Sequence, residues 1–175
     1  MSHNVAFEIL YREYYVRVFG LCRRLLNSQP LAEDATQEAF MRAYRQFKKY
    51  DSEQPFWRWI AAIATNHCVD LLRRQSRSAD LFGDEQHESQ LVAEPGSEIL
   101  AAVISKEDSA NLVQAIEQLP AKYRVPLILA YFHDASYEEI AATLSLERNH
   151  VGVLILRAKQ MLRSTMQDYQ IQESA

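Results

Sequence analysis

The chain has 175 residues, enough for one medium domain or two small ones, with an ordinary globular balance of 48% hydrophobic and 24% charged residues. Four glycines and five prolines are too few for a turn-rich β sandwich and point to an all-α fold. The net charge of −4 argues against a nucleic-acid partner only until it is mapped: residues 1–78 carry +4, residues 79–110 carry −7 and residues 111–175 carry −1.

No apolar run approaches the ~18 residues of a membrane span, so no membrane insertion is expected. The start, Met1-Ser2-His3-Asn4, lacks the basic-then-apolar pattern of a secretory signal. Cys22 and Cys68 make no disulfide framework, which fits a reducing, cytoplasmic setting.

Along residues 1–78, apolar residues recur at the ~3.6-residue period of helices. Phe7, Leu10, Tyr14, Val18, Leu21 and Leu25 form one stripe, broken at Asn27-Ser28-Gln29-Pro30. A second helix is expected from about Leu31 to Phe47, with Ala35, Ala39 and Ala43 allowing close packing. The polar stretch Tyr50 to Pro55 reads as a loop, and a third helix runs from Phe56 to about Arg74 with Ile60, Ala64, Cys68 and Leu71 inward.

Residues 79–110 read as a flexible acidic linker with little apolar surface to offset ordering entropy. Within it, Leu81-Phe82 and Leu91-Val92 are candidates to dock, and Ile99 to Asp108 is a candidate helix. Residues 111–175 make a second helical domain, with a break at Pro120, a helix from Tyr123 to Tyr131 and a turn at His133-Asp134-Ala135. Ser136-Tyr137-Glu138-Glu139 has the form of a capping box opening a helix to Leu144, and Ser145-Leu146 leads into a last helix from Glu147 to Met166. Ile140, Ala141 and Leu144 on one helix and Val151, Ile155 and Ala158 on the next give the inward faces of a helix-turn-helix.

In the N-terminal half, Glu33, Asp34, Gln37, Glu38 and Arg42 share a polar face suited to a basic partner surface. Tyr50, Phe56, Trp57 and Trp59 interleave with Lys48, Lys49 and Arg58, while Arg73, Arg74 and Arg77 close the third helix. Aromatic faces that stack on unpaired bases, flanked by cations for the backbone, suit single-stranded DNA; Phe56 or Trp59 is expected to serve as a core anchor as well.

Taken together these segments resemble the extracytoplasmic-function sigma factors of bacterial RNA polymerase. The resemblance rests on Asp34-Ala35-Thr36-Gln37-Glu38-Ala39-Phe40, Arg42-Ala43-Tyr44, Phe56, Trp59, Ile63-Ala64, Asn66 and Asp70 with Arg73-Arg74. In the second half it rests on Leu119-Pro120, Tyr137-Glu138-Glu139-Ile140-Ala141 and Arg157-Ala158-Lys159. It implies that Asp34, Gln37, Glu38 and Arg42 meet core RNA polymerase. It also implies that Lys48, Lys49, Tyr50, Trp57, Arg58, Asn66, Arg73, Arg74 and Arg77 serve the minus-ten element, Tyr50 and Asn66 at the capture site of a flipped base. The helix-turn-helix would read the minus-thirty-five element. Gly152 and Val153 stand where the family often places polar contacts, so readout falls to Arg148, Asn149, His150, Arg157 and Lys159, with apolar contact from Val153 and Leu156. The resemblance implies promoter DNA, core polymerase and an anti-sigma factor as partners, with no cofactor and no metal.

Three other classes compete with this reading. A di-iron bundle enzyme needs more than Glu147-x-x-His150 and its near copy Asp84 to His87, and no phosphate loop or nucleophile elbow is present. A metal or redox sensor built on Cys22, His67 and Cys68 is disfavoured because adjacent helical residues point about 100° apart. A helix-turn-helix regulator acting without polymerase is the alternative, and it leaves the aromatic-basic N-terminal cluster unexplained.

Overall fold

Asn27 ends the first helix by adopting a left-handed backbone (φ 50°), a conformation asparagine tolerates. The computed structural model describes residues 3–76, 81–83 and 109–173, and all regular structure among these residues is helical. The chain divides into two units, Met1–Asp80 and Leu81–Ala175.

In the first unit, α1 spans His3–Leu26, α2 Gln29–Gln46 and α3 Phe56–Gln75, and each packs on the other two. The second helix begins before Leu31, because Pro30 falls in its first turn, where a missing N–H costs nothing. A 3-10 turn over Phe47–Lys49 then leads into the loop, where the Asp51 carboxylate accepts from the Glu53 backbone N–H at 3.0 Å. Val18, Leu21, Leu25, Ala35, Ala39, Ala43, Ile60, Ala64 and Cys68 are completely buried. The alanines let α2 approach its neighbours closely, and the leucines supply apolar burial worth about 2 kcal/mol each. Leu72, rather than Leu71, closes the inward stripe of α3. At the opposite end Phe7 packs edge-on against Phe40, Tyr44, Phe47 and Phe56, with ring centroids 5.1–6.5 Å apart.

In the second unit, α4 spans Ser109–Gln118, α5 Ala121–Phe132, α6 Tyr137–Leu144 and α7 Arg148–Glu173, so the last helix runs beyond Met166. Helices α4, α5 and α6 all pack on α7. Arg124 is buried, and its guanidinium donates to the Leu119 carbonyl at 2.6 Å, satisfying an acceptor near the end of α4. The capping box is present in full: Ser136 Oγ accepts from Glu139 N–H at 3.1 Å, and Glu139 Oε2 accepts from Ser136 N–H at 2.8 Å. The turn after α6 closes through Ser145 (φ 58°), with the Leu146 N–H donating to the Ala141 carbonyl at 2.9 Å. Of the two apolar pairs in the acidic stretch, Leu81-Phe82 is described and Phe82 is buried. Leu91-Val92 and the expected helix from Ile99 to Asp108 lie outside the described residues.

Candidate nucleic-acid interface

The face on α2 is displayed as its sequence requires. Ala35, Ala39 and Ala43 turn inward, which leaves Asp34 and Gln37 exposed and Glu38 and Arg42 half-exposed on the other side. Glu38 and Arg42 are paired to each other at 2.7 Å, and this hydrogen bond holds the Glu38 carboxyl below its ordinary value. The same stripe continues into a groove of about 430 Å³ between α1 and α2, lined by Phe7, Tyr11, Gln37, Phe40, Met41, Tyr44 and Arg45. Met41 is 51% exposed and Tyr44 47% exposed, so the polar face carries an apolar centre. Met41 stands four residues after Gln37 and seven after Asp34, and that helical spacing was the available signal.

On α3, Arg58, Ala62, Asn66, Asp70 and Arg74 recur every fourth residue and are all exposed, while Arg73 is half-buried. Arg58 and Asn66 are thus about 12 Å apart along one side of the helix. Lys48 and Lys49 are exposed on the 3-10 turn, and Arg77 lies outside the described residues. Tyr50 is half-buried: its ring stacks on Phe47 at 5.9 Å and leans on Trp59 at 4.9 Å, and its hydroxyl donates to the Gln54 carbonyl. Burial raises the Tyr50 pKa, so the phenol stays neutral. Phe56 is a core residue, as expected of at least one of the two anchors, and Trp59 is half-buried. Trp57 carries the Arg17 guanidinium 3.8 Å above its ring centroid and stacks on Tyr14 at 6.4 Å, a partnership the sequence reading missed.

On α7, Asn149 is exposed, while Val153, Leu156 and Arg157 are half-buried beside it. Arg148 points toward α6, donating to Glu138 at 2.5 Å. His150 is half-buried, and its Nε2 has no hydrogen-bond partner among the described residues. Two positions on this helix are buried. Lys159 is buried with only 7% exposure, and its ammonium sits 5.0 Å from the centre of the Tyr131 ring. Its aliphatic stem covers the core and carries the ammonium over that ring. Gly152 is buried too, where α6 meets α7, and a Cβ built there would lie 3.6 Å from Tyr137 Cε2, an ordinary contact distance.

The cysteines are accounted for by packing. Cys22 and Cys68 are fully buried and hydrogen-bonded to each other, which lowers the Cys22 pKa and, together with burial, raises that of Cys68. His67 is half-buried beside Glu38 and Asp70, and burial lowers its pKa. Among the described residues no group of three or more His, Cys, Asp or Glu could hold a metal ion. Among them, too, no helix is long and apolar enough to cross a membrane.

Comparison with known proteins agrees with this geometry. Residues 10–78 match Sigma-70 region 2 and residues 109–162 match Sigma-70, region 4. The two helical units therefore define a sigma factor of the sigma-70 class. The ECF RNA polymerase sigma factor SigW of Bacillus subtilis is 34% identical over 169 residues, covering 93% of this chain and 90% of that protein. The RNA polymerase sigma-H factor of Pseudomonas aeruginosa is 29% identical over 171 residues, covering 93% and 86%. The sigma factor RpoE of Bartonella quintana, solved in complex with the anti-sigma factor NepR, shares the fold with a TM-score of 0.62 at 19% identity, over 93% of this chain and 97% of that one. The chain belongs to the extracytoplasmic-function (ECF) family of RNA polymerase sigma factors. The match to region 2 accounts for the N-terminal half that a regulator acting without polymerase leaves unexplained.

Proposed function

We propose that this chain is a non-catalytic, cytoplasmic subunit that gives core RNA polymerase its promoter specificity. Asp34, Gln37, Glu38 and Arg42 bind the polymerase, with Met41 and Tyr44 supplying the apolar centre of the contact. The strongest support is the polar stripe of α2 running without interruption into the groove beside Met41. An apolar pocket with a charged rim is the usual composition of a specific protein interface.

The end of α3 nearest the loop, with Lys48, Lys49, Tyr50, Trp57, Arg58 and Asn66, takes the melted minus-ten strand, and Arg73, Arg74 and Arg77 hold phosphates. Because the Tyr50 ring is already packed on Phe47 and Trp59, a captured base meets an ordered aromatic wall. On α7, Asn149, Val153, Leu156 and Arg157 face the minus-thirty-five element, joined by Arg148 and His150 at its start. An anti-sigma factor holds the chain inactive, as the NepR complex of the Bartonella quintana protein suggests for this fold.

Met41→Glu tests the polymerase face without touching the core. Binding of the full chain to core polymerase should weaken by about tenfold or more, with thermal stability unchanged. Undiminished affinity would contradict the assignment.

A further inference from the structure

We infer that Arg17 of α1 is a phosphate-binding residue for the melted promoter strand, held ready for that contact by the indole of Trp57. The inference rests on the proposed minus-ten role of the α3 N-terminal end. It adds to that surface a helix on which the sequence reading placed no DNA contact.

The geometry is specific. The Arg17 side chain is exposed, yet its guanidinium carbon lies 3.8 Å from the Trp57 ring centroid. Trp57 is in turn fixed by Tyr14, whose ring is within 15° of parallel to the indole, and Tyr14 also packs on buried Phe56 at 5.3 Å. The cation therefore rests on a platform anchored in the core. A guanidinium offers its flat face to an aromatic ring and keeps its N–H donors around the edge. Stacking thus restricts the side chain without consuming its hydrogen-bonding capacity.

No ion pair joins Arg17 to a carboxylate among the described residues, unlike Arg12, Arg42 and Arg148. Among the described residues no carboxylate occupies its N–H donors, which can face an anion. The residue after Trp57 is the exposed Arg58, which adds a second cation at the same end of α3. That combination of aromatic platform and cations suits the backbone of an unpaired strand. A phosphate contact carries no base information, so Arg17 should raise affinity evenly across promoters.

The test uses holoenzyme reconstituted from core polymerase and the full chain. Its probe is a fork-junction DNA enriched by the wild-type holoenzyme from a pool randomised in the single-stranded segment. Arg17→Ala should weaken binding about fivefold and reduce the slope of log K against log salt by about 0.7, as loss of one single-strand phosphate contact requires. Arg17→Lys should keep the slope and lose part of the affinity. If wild-type holoenzyme enriches a sequence but Arg17→Ala binds it with unchanged affinity and slope, the inference is overturned alone. A loss shared equally by both variants with no change of slope would assign Arg17 to packing and also overturn it. If wild-type holoenzyme enriches nothing, the minus-ten reading itself fails.

Discussion

Arg148, at the start of the last helix, donates to the Glu138 carboxylate at 2.5 Å and lies 5.6 Å from the centre of the Tyr137 ring. Backbone hydrogen bonding at Glu138, aided by Arg148, holds that carboxyl below its usual range. Glu138 is therefore ionised at neutral pH, and the pair is lost only when acidification reaches that depressed value. The pair ties down a cation that the minus-thirty-five contact would use. Glu138→Gln should free Arg148 for a phosphate, tighten holoenzyme binding to duplex promoter DNA and steepen its salt dependence by about one unit of slope. Mobility-shift titrations across a salt series check this; an unchanged slope would mean that Arg148 already reaches the DNA or never does.

At the crossing of α6 and α7, Gly152 has room for a methyl group. A Cβ there meets Tyr137 at ordinary contact distance, and a helical Gly→Ala change gains about 0.5–1 kcal/mol. Gly152→Ala should raise the denaturation midpoint of the region 4 unit, while Gly152→Ile should lower it by forcing the ring aside. Urea unfolding of the full chain, followed by circular dichroism, distinguishes the two; destabilisation by alanine would mean the helices cross more closely than described.

The helix-turn-helix has one well-built end and one strained end. Removing the N-cap hydroxyl with Ser136→Ala should cost about 1 kcal/mol. Ser145 ends the same helix in the left-handed region, so Ser145→Gly should relieve strain and stabilise by about 1 kcal/mol. Thermal melts of both variants provide the comparison, with opposite signs expected.

His67 gives unit 1 a pH dependence. Burial and Arg42 lower its pKa, Glu38 and Asp70 oppose them, and Arg74 adds a smaller lowering. The fold thus favours the neutral imidazole. The associated stability is complete above the unfolded histidine value of about 6.5 and is lost as pH falls through the lower folded value. Melting temperatures from about pH 8 to about pH 5 should fall less steeply for His67→Gln than for the wild type. Parallel curves would show that the imidazole is solvated in both states.

Much of this arrangement is legible in the sequence because burial and helical period coincide. Ala35, Ala39 and Ala43 lie inward, and the same repeat exposes Asp34 and Gln37; the Ser136 and Glu139 pattern predicts both capping bonds. Less legible are side chains whose chemistry and position disagree. Lys159 is charged, but it flanks the stripe set by Val151, Ile155 and Ala158, and its long stem carries the ammonium over Tyr131. At Gly152 the sequence shows only a missing polar contact, whereas the residue is buried beside Tyr137. The pairing of Arg17 with Trp57 spans 40 residues, and nothing in either local pattern announces it. Helix periodicity specifies faces, but it does not specify which faces of separate helices meet.

Run-off transcription with core polymerase on a library of genomic promoter fragments, with and without this chain, tests the central claim most directly. The account predicts specific transcripts that appear only with the chain and vanish with Asn66→Ala or Arg157→Ala. Absence of any chain-dependent transcript, with folded protein and an active core enzyme, would contradict it.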